Sequence, residues 1–353
     1  MAFLNKYTLT TTLIVIGIIS AVAFFTTLSP NLQNNQAISL EETNEGGPEE
    51  GVHPLSIAYL RELEYPGSDI VVEQTLAPGS NYQRFITSYQ SEGLKQFALL
   101  TIPNGLPPEE GWPGIIFNHG YISPSVYKTT ERYLAYIDAF SKNGYVVFKP
   151  DYRGHGNSEG EAGGGYGNNN YTVDVLNAFS SLQKYESVNH EKIGMWGHSM
   201  GGHITLRSMV VNPNIKAGVI WAGVVGSYQD LVEIWPRHRA NNNYRVGAPT
   251  GRRSWRTELT QKYGGFEENP EFWDSISSTA FLSDISGPLQ LHHATGDTSV
   301  PKEFSELLQE RMEQTGKESE LYIYQGDDHN ISANFSTAIS RSIEFFDRYL
   351  KDN

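Results

Sequence analysis

A serine stands between two glycines in the segment Gly197-His198-Ser199-Met200-Gly201. Residues 193–196 are apolar and predict a short buried strand, whereas residues 203–211 have the pattern of an amphipathic helix. The chain must therefore turn sharply at Ser199, and the flanking glycines relieve crowding around that turn. This context predicts a nucleophile elbow, in which the Ser199 hydroxyl is exposed beside the N–H groups of a helix N-terminus.

A serine hydroxyl is a poor nucleophile at neutral pH, so this chemistry needs a base and an orienting acid. Asp297 follows the predicted strand 288–293, and His329 follows the predicted strand 320–324. The order Ser, Asp, His, with acid and base each in a loop after a strand, is that of the α/β-hydrolase triad. We therefore predict Ser199 as nucleophile, His329 as general base and Asp297 as the acid that orients it.

Each triad candidate also has an ordinary interpretation as a helix N-cap, a turn residue or a surface loop residue. Asp327 and Asp328 are rival orienting acids because they precede His329 directly. Adjacent residues reach the far nitrogen of the histidine ring with difficulty, so Asp297 is preferred.

A tetrahedral intermediate also needs hydrogen-bond donors for its oxyanion. The predicted strand 114–117 ends in Asn118-His119-Gly120-Tyr121, where this fold supplies one backbone donor. The predicted pair is the N–H of Tyr121 and the N–H of Met200. His119 is predicted to be structural because the base is already assigned.

These motifs together resemble the catalytic domain of the prolyl oligopeptidase family, in particular its dipeptidyl aminopeptidase and acylaminoacyl peptidase-like members. The resemblance covers roughly residues 55–352, and it rests on five segments: Asn118-His119-Gly120, Asp151 to Ser158, Gly197 to Gly202, Asp297 to Pro301 and Asp328-His329. It implies a serine peptidase or esterase that uses Ser199, Asp297 and His329. The family often has His-Gly four residues before the acid, whereas this chain has His293-Ala294, which changes the expected loop shape but not the acid.

Peptidases of this family usually carry an N-terminal β-propeller that admits only short peptides. Only about 60 residues separate the predicted linker, residues 31–51, from the predicted strand 114–117. No repeats of the size of a propeller blade occur. We therefore expect a catalytic domain without a propeller. Peptide specificity is then not inherited, and a carboxylesterase or acyl hydrolase becomes a close alternative.

The segment 151–158 contains glycines, Arg153 and His155, but it lacks the Gly-Lys-Ser/Thr of a P-loop. We interpret it as the loop that follows the strand 145–149, with Asp151 and Arg153 paired below the site.

The wider pattern predicts one α/β domain with a mostly parallel sheet and helices on both faces. Three strands at 70–76, 82–89 and 94–102 predict an antiparallel N-terminal edge. The later strands are predicted at 114–117, 145–149, 192–196, 217–221, 289–293 and 320–324. The helices are predicted at 128–142, 171–184, 200–211, 302–314 and 336–351.

Residues 226–278 interrupt this alternation and predict a cap insertion over Ser199. The segment contains six arginines, with no acid between 237 and 256: Arg237, Arg239, Arg245, Arg252, Arg253 and Arg256. Arg237, Arg239 and Arg245 are candidates for binding a substrate carboxylate. The alternative is a solvated basic surface with some ion pairing. The aromatic residues of the insertion are expected to form the core of the cap.

Residues 8–28 form an uncharged, mainly apolar run, preceded by Lys6 and long enough to span a bilayer. Residues 1–30 are predicted as a membrane anchor, or alternatively as a signal peptide cleaved after Ala21-Val22-Ala23. Residues 31–51 read as a flexible acidic linker, and 52–353 as the catalytic domain. Both alternatives export the enzyme; the anchored form keeps the catalytic domain outside.

Composition excludes several classes of protein. The net charge of −14 argues against nucleic acid as a partner. The absence of cysteine excludes disulfides, thiolate catalysis and the usual structural zinc sites. We expect two-step acyl transfer on a small peptide or ester, with no metal or organic cofactor. The competing class is a non-catalytic binding protein of the same fold, but such proteins usually lose a triad residue.

Overall fold

The computed structural model describes residues 52–241 and 254–352, and in residues 239–241 only the backbone. The predicted segment 8–28 and the linker lie outside these residues. Within the described part of the chain, no helix is both long enough and apolar enough to cross a membrane.

Nine strands of the described residues form one sheet in the order β1-β2-β3-β5-β4-β6-β7-β8-β9. The strands are β1 (Val71–Thr75), β2 (Tyr82–Ser91), β3 (Leu94–Pro103), β4 (Trp112–Asn118), β5 (Val146–Pro150), β6 (Val188–His198), β7 (Gly218–Trp221), β8 (Leu289–Ala294) and β9 (Ser319–Tyr324). Strands β1, β2 and β3 pair antiparallel, β3 pairs antiparallel with β5, and the other pairs are parallel. The predicted antiparallel edge and mostly parallel sheet are confirmed.

In the described residues, five helices alternate with strands as predicted, and three further helices follow one another within the insertion 226–278. The helices are α1 (Ile57–Glu62), α2 (Leu134–Lys142), α3 (Asn170–Gln183), α4 (Met200–Val211), α5 (Tyr228–Asn241), α6 (Trp255–Tyr263), α7 (Pro270–Ile276), α8 (Glu303–Gln314) and α9 (Phe335–Leu350). The six-residue helix α1 was not predicted because it is too short to show a helical period.

The predicted helix 128–142 is wrong in its first half. Arg132 has a φ of 62° and Tyr133 a φ of 54°, both in the left-handed region. A right-handed helix cannot continue through these residues, so α2 begins at Leu134. The backbone at Tyr133 is strained. Its hydroxyl contacts Gly120 and His198.

Two hydrophobic cores cover the two faces of the sheet. One contains side chains of α3, α4 and α8, including Phe179, Ile204 and Phe304. The other contains side chains of α2 and α9, including Phe140 and Phe346. Helices therefore shield both faces, which is why the parallel strands are apolar along nearly their whole length.

The insertion has a small core of its own. Phe272, Trp273, Leu259 and Ile276 are buried together, with Trp255 and Phe266 packed against them. The prediction that the aromatic residues of the insertion form a cap core is confirmed for these side chains.

Candidate active site

Ser199 occupies the turn between β6 and α4, with φ 55° and ψ −117°. Its N–H donates to the Trp221 carbonyl of β7 at 3.0 Å, and its carbonyl accepts from the Val224 N–H at 3.1 Å. A β-carbon on Gly201 would lie 1.9 Å from the Asn118 carbonyl oxygen, so only glycine fits there. The predicted sharp turn is present, and neighbouring backbone holds it in a conformation that costs about 1–3 kcal/mol.

The loop after β4 lies against the first turn of α4, through the contact between Asn118 and Gly201. Met200 is the first residue of α4, so its N–H has no acceptor within the helix. The Gly120 N–H donates to the Tyr133 hydroxyl at 3.0 Å. The next amide, that of Tyr121, and the Met200 amide stay the predicted oxyanion donors.

Asp297 and His329 are brought together from the loops after β8 and β9. The His329 Nδ1 lies 2.7 Å from Asp297 Oδ2. The other oxygen, Oδ1, accepts the N–H groups of Ser299 at 2.8 Å and Val300 at 3.0 Å. Since Nδ1 of His329 faces the carboxylate, Nε2 is the nitrogen left for a substrate-side partner such as the Ser199 hydroxyl.

A second imidazole also contacts Asp297. The His293 Nε2 lies 3.2 Å from Asp297 Oδ2 and 3.1 Å from the Val300 carbonyl oxygen. Burial by itself would raise the pKa of Asp297, but hydrogen bonds from His293 and His329 hold it well below its usual range. The carboxylate is therefore charged at neutral pH and suited to stabilise a histidinium.

The rival acids serve the loop around His329 instead. Asp328 accepts the N–H of Asn330 at 2.9 Å, the N–H of Ser332 at 3.0 Å and the Ser332 hydroxyl at 2.8 Å. Asp327 accepts the N–H groups of Asp328, Ala333 and Asn334. Both carboxylates thus shape the turn that carries His329, while Asp297 contacts the ring.

The predicted pairing of Asp151 with Arg153 is wrong. Arg153 binds the buried carboxylate of Asp174 in α3, with its Nη2 2.7 Å from Oδ1. Asp151 accepts the hydroxyl of Tyr127 at 2.7 Å and also that of Thr129. Asp151 and Arg153, with Tyr152 between them, thus bind partners in different segments, and the local sequence does not encode this choice of partners.

Buried polar side chains pack against the loop after β4. The Lys149 ammonium donates to the Tyr127 hydroxyl at 3.0 Å. Burial lowers the pKa of Lys149 to about 8 and raises that of Asp151 to about 6. His119 is fully buried and stacks between Tyr127 and Tyr152, with ring centroids 4.8 and 4.2 Å away. This packing agrees with the structural role predicted for His119.

The insertion contacts the acid loop. The Trp235 indole in α5 donates to the Ser299 carbonyl at 2.7 Å. The Arg256 guanidinium stacks on Trp255 and Trp235, with its centre 4.5 and 5.3 Å from the ring centroids. Of the three arginines predicted to bind substrate, Arg237 is exposed on α5. The Arg239 side chain and all of Arg245 lie outside the described residues, so binding of a carboxylate by these arginines stays a prediction.

Three residues near the triad were not predicted. His293 stands four residues before Asp297, and that spacing was a usable signal. His198 directly precedes Ser199, and its ring centroid lies 4.6 Å from that of His329. Tyr133 has no local signal, because 66 positions separate it from Ser199 and only the tertiary fold brings it near.

A cleft of about 610 Å³ lies at the opposite end of the sheet, around Trp112, Glu110, Asn189 and Lys351. Trp112 begins β4, whereas the loop that contains Gly120 and Tyr121 follows Asn118, the last residue of β4. None of the triad candidates is among the residues that line this cleft.

Comparison with known proteins supports a serine hydrolase. A serine aminopeptidase family, S33, matches residues 114–254, which include Ser199. The prolyl oligopeptidase family matches residues 248–353, which include Asp297 and His329. The chain is a serine hydrolase. The resemblance predicted from the motifs is confirmed.

One relative of this hydrolase is YtmA of Bacillus subtilis, named as an uncharacterized peptidase. The two are 26% identical over 255 residues, which cover 70% of this chain and 86% of YtmA. The identity extends over most of both chains, so the likeness is not confined to one motif.

Solved structures of both peptidases and esterases share the fold. The acylaminoacyl peptidase of Pyrococcus horikoshii is 20% identical, with a TM-score of 0.60 over 78% of this chain and 43% of its own. The acetyl xylan esterase from Paenibacillus sp. R4 is 15% identical, with a TM-score of 0.61 over 83% of this chain and 92% of its own. The hydrolase therefore spans less than half of that peptidase and nearly all of that esterase. At these identities the likeness establishes the α/β-hydrolase fold alone.

Proposed function

We propose that the hydrolase cleaves a peptide or ester bond by two-step acyl transfer, with Ser199, His329 and Asp297 as the triad. The observation that carries the proposal is the 2.7 Å hydrogen bond between His329 Nδ1 and Asp297 Oδ2. Ser199 stands in a strained strand-to-helix turn, and the residue before it, His198, contacts the backbone of His329. A non-catalytic protein would not need to keep all three side chains and this backbone strain.

In the first step, His329 removes the proton of the Ser199 hydroxyl as the oxygen attacks the substrate carbonyl. Asp297 fixes the ring with Nδ1 protonated and stabilises the histidinium. The amides of Tyr121 and Met200 donate to the oxyanion, and His329 returns the proton to the departing amine or alcohol. In the second step, water attacks the acyl-enzyme and transfers a proton to His329. His329 then returns this proton to the Ser199 oxygen as the intermediate breaks down, which releases the carboxylic acid and regenerates the Ser199 hydroxyl.

The substrate class has two alternatives. The prolyl oligopeptidase match favours peptide bonds. A carboxylesterase without peptidase activity is the alternative, because the acetyl xylan esterase shares the fold over 83% of this chain and the acylaminoacyl peptidase over 78%. A panel of aminoacyl and dipeptidyl amides beside short-chain esters separates the two, since the esterase alternative predicts turnover of the esters alone.

The mechanism is tested by labelling with a fluorophosphonate, which reacts with an activated serine. We expect Ser199→Ala to abolish labelling and to lower turnover by about 10⁶-fold. Ser208→Ala is the matched control, because Ser208 lies on the same helix and its buried hydroxyl has no hydrogen-bond partner among the described residues. Retention of more than a tenth of wild-type ester hydrolysis in Ser199→Ala would refute the assignment.

A further inference from the structure

A continuous chain of hydrogen bonds connects the loop after β4, which contains the predicted oxyanion donor Tyr121, to the loop of His329. The Gly120 N–H donates to the Tyr133 hydroxyl at 3.0 Å. The Tyr133 oxygen lies 2.8 Å from Nδ1 of His198. On the other side of the same ring, Nε2 lies 3.0 Å from the backbone carbonyl oxygen of His329. One tyrosine and one histidine thus join three segments that meet at Ser199.

The protons in this chain have a single consistent arrangement. A carbonyl oxygen only accepts, so Nε2 of His198 carries a proton and donates to His329. Burial, with a smaller contribution from His329, lowers the pKa of His198 to about 3, so the ring is neutral at pH 7. Nδ1 therefore accepts the Tyr133 O–H, and the Tyr133 oxygen accepts the Gly120 N–H.

Packing fixes this arrangement as well as hydrogen bonding. A β-carbon on Gly120 would lie 2.7 Å from the Tyr133 hydroxyl oxygen and 3.2 Å from Nδ1 of His198, so the loop backbone is pressed against both groups. Tyr133 keeps a left-handed backbone conformation, with a φ of 54°, at the start of α2. Its ring packs against Phe117, near the end of β4, with ring centroids 5.5 Å apart.

We propose that Tyr133 and His198 are positioning residues for acyl transfer, an inference that rests on the proposed function. Their hydrogen bonds occupy the Gly120 N–H and fix the peptide that follows it, which leaves the Tyr121 N–H as the donor for the oxyanion. They also hold the backbone of His329 at a set distance from the elbow. Neither residue touches the substrate.

The alternative is that these bonds only stabilise the fold. A structural role and a positioning role affect different measurable quantities. Loss of a merely structural hydroxyl lowers the free energy of unfolding, whereas a displaced oxyanion donor weakens binding of the transition state and leaves substrate binding unchanged. A displacement of about 1 Å in such a group can cost about 10²-fold in rate.

The first experiment compares Tyr133→Phe with Tyr82→Phe in the full chain. Tyr82 is the matched control because its buried hydroxyl also bonds α2, donating to Asp138 at 3.0 Å. For Tyr133→Phe we expect kcat to fall about 10- to 100-fold with KM within about twofold. The affinity for a boronic acid transition-state analogue should fall by the same factor as kcat/KM. Tyr82→Phe should change neither quantity.

The second experiment uses His198→Gln, in which the amide can still donate to the His329 carbonyl but no longer accepts from Tyr133. We expect a loss of kcat similar to that of Tyr133→Phe. The double variant should be no slower than the slower single variant, because the two side chains act in one chain of bonds.

The proposal is overturned if Tyr133→Phe has a kcat within twofold of Tyr82→Phe, or if it raises KM at unchanged kcat. If Tyr133→Phe does not fold, His198→Gln is judged by the same two criteria. Ser199→Ala separates this inference from the proposed function. Activity that depends on Ser199 but not on Tyr133 refutes the inference alone, whereas activity that survives Ser199→Ala refutes both.

Discussion

The Oδ2 atom of Asp297 lies 2.7 Å from Nδ1 of His329 and 3.2 Å from Nε2 of His293, so one carboxylate oxygen serves two imidazoles. The two rings approach from different elements, His293 from β8 and His329 from the loop after β9. The carboxylate is thereby held by both rings. Asp327 and Asp328 bond the turn around His329 instead of its ring.

We predict that Asp297→Asn lowers kcat by about 10⁴-fold, because the amide favours the wrong tautomer of His329. Asp328→Asn is the matched control, and its effect should be below about tenfold, since Asp328 bonds the turn and not the ring. Steady-state kinetics on one ester substrate measures both. A larger loss in Asp328→Asn than in Asp297→Asn would make Asp328 the orienting acid.

The elbow predicts a strict requirement for glycine at position 201. In Gly201→Ala, the added carbon meets the Asn118 carbonyl oxygen at 1.9 Å, and backbone must move to admit it. We expect a loss of about 3 kcal/mol or more in the free energy of unfolding. Gly265→Ala is the control, because nothing lies within 4 Å of its added carbon. Urea unfolding of the two variants checks this, and equal stability would contradict the packing.

The buried Lys149 predicts a pH dependence of stability. Its pKa falls from about 10.4 in the unfolded chain to about 8 in the folded protein, so between these values the unfolded state binds more protons. The free energy of unfolding of the wild type should therefore rise from pH 8 to pH 10, by about 2–3 kcal/mol relative to Lys149→Met. Urea titrations at several pH values measure the difference. If the difference in the free energy of unfolding between the wild type and Lys149→Met stays constant with pH, the lowered pKa of Lys149 is contradicted.

Residues 8–28 lie outside the described residues, and export of the hydrolase on an uncleaved helix stays a proposal. It predicts that the full-length protein remains in the membrane pellet after a carbonate wash, whereas a chain that begins near Gly46 is soluble and equally active. Protease added to intact cells should release the catalytic domain. A mature protein that starts at Phe24 and appears in the supernatant would instead identify a signal peptide.

The sequence by itself determined which segments form the strands and which three residues are the triad candidates. Both depend on local patterns. Apolar runs mark strands that are buried on two faces, and the elbow requires small residues around Ser199 within a few positions. Asp297 and His329 follow strands, so their place at one edge of the sheet follows from parallel pairing alone.

Only the tertiary structure decided which polar side chains meet. Arg153 binds Asp174 of α3, whereas Asp151 accepts the Tyr127 hydroxyl, so the two side chains do not pair with each other. The start of α2 depends on a left-handed Tyr133 that no helical propensity predicts. That conformation brings the Tyr133 hydroxyl to Gly120 and His198, contacts across 13 and 65 residues of sequence. Such pairings arise from packing between elements, and a single sequence carries no local signal for them.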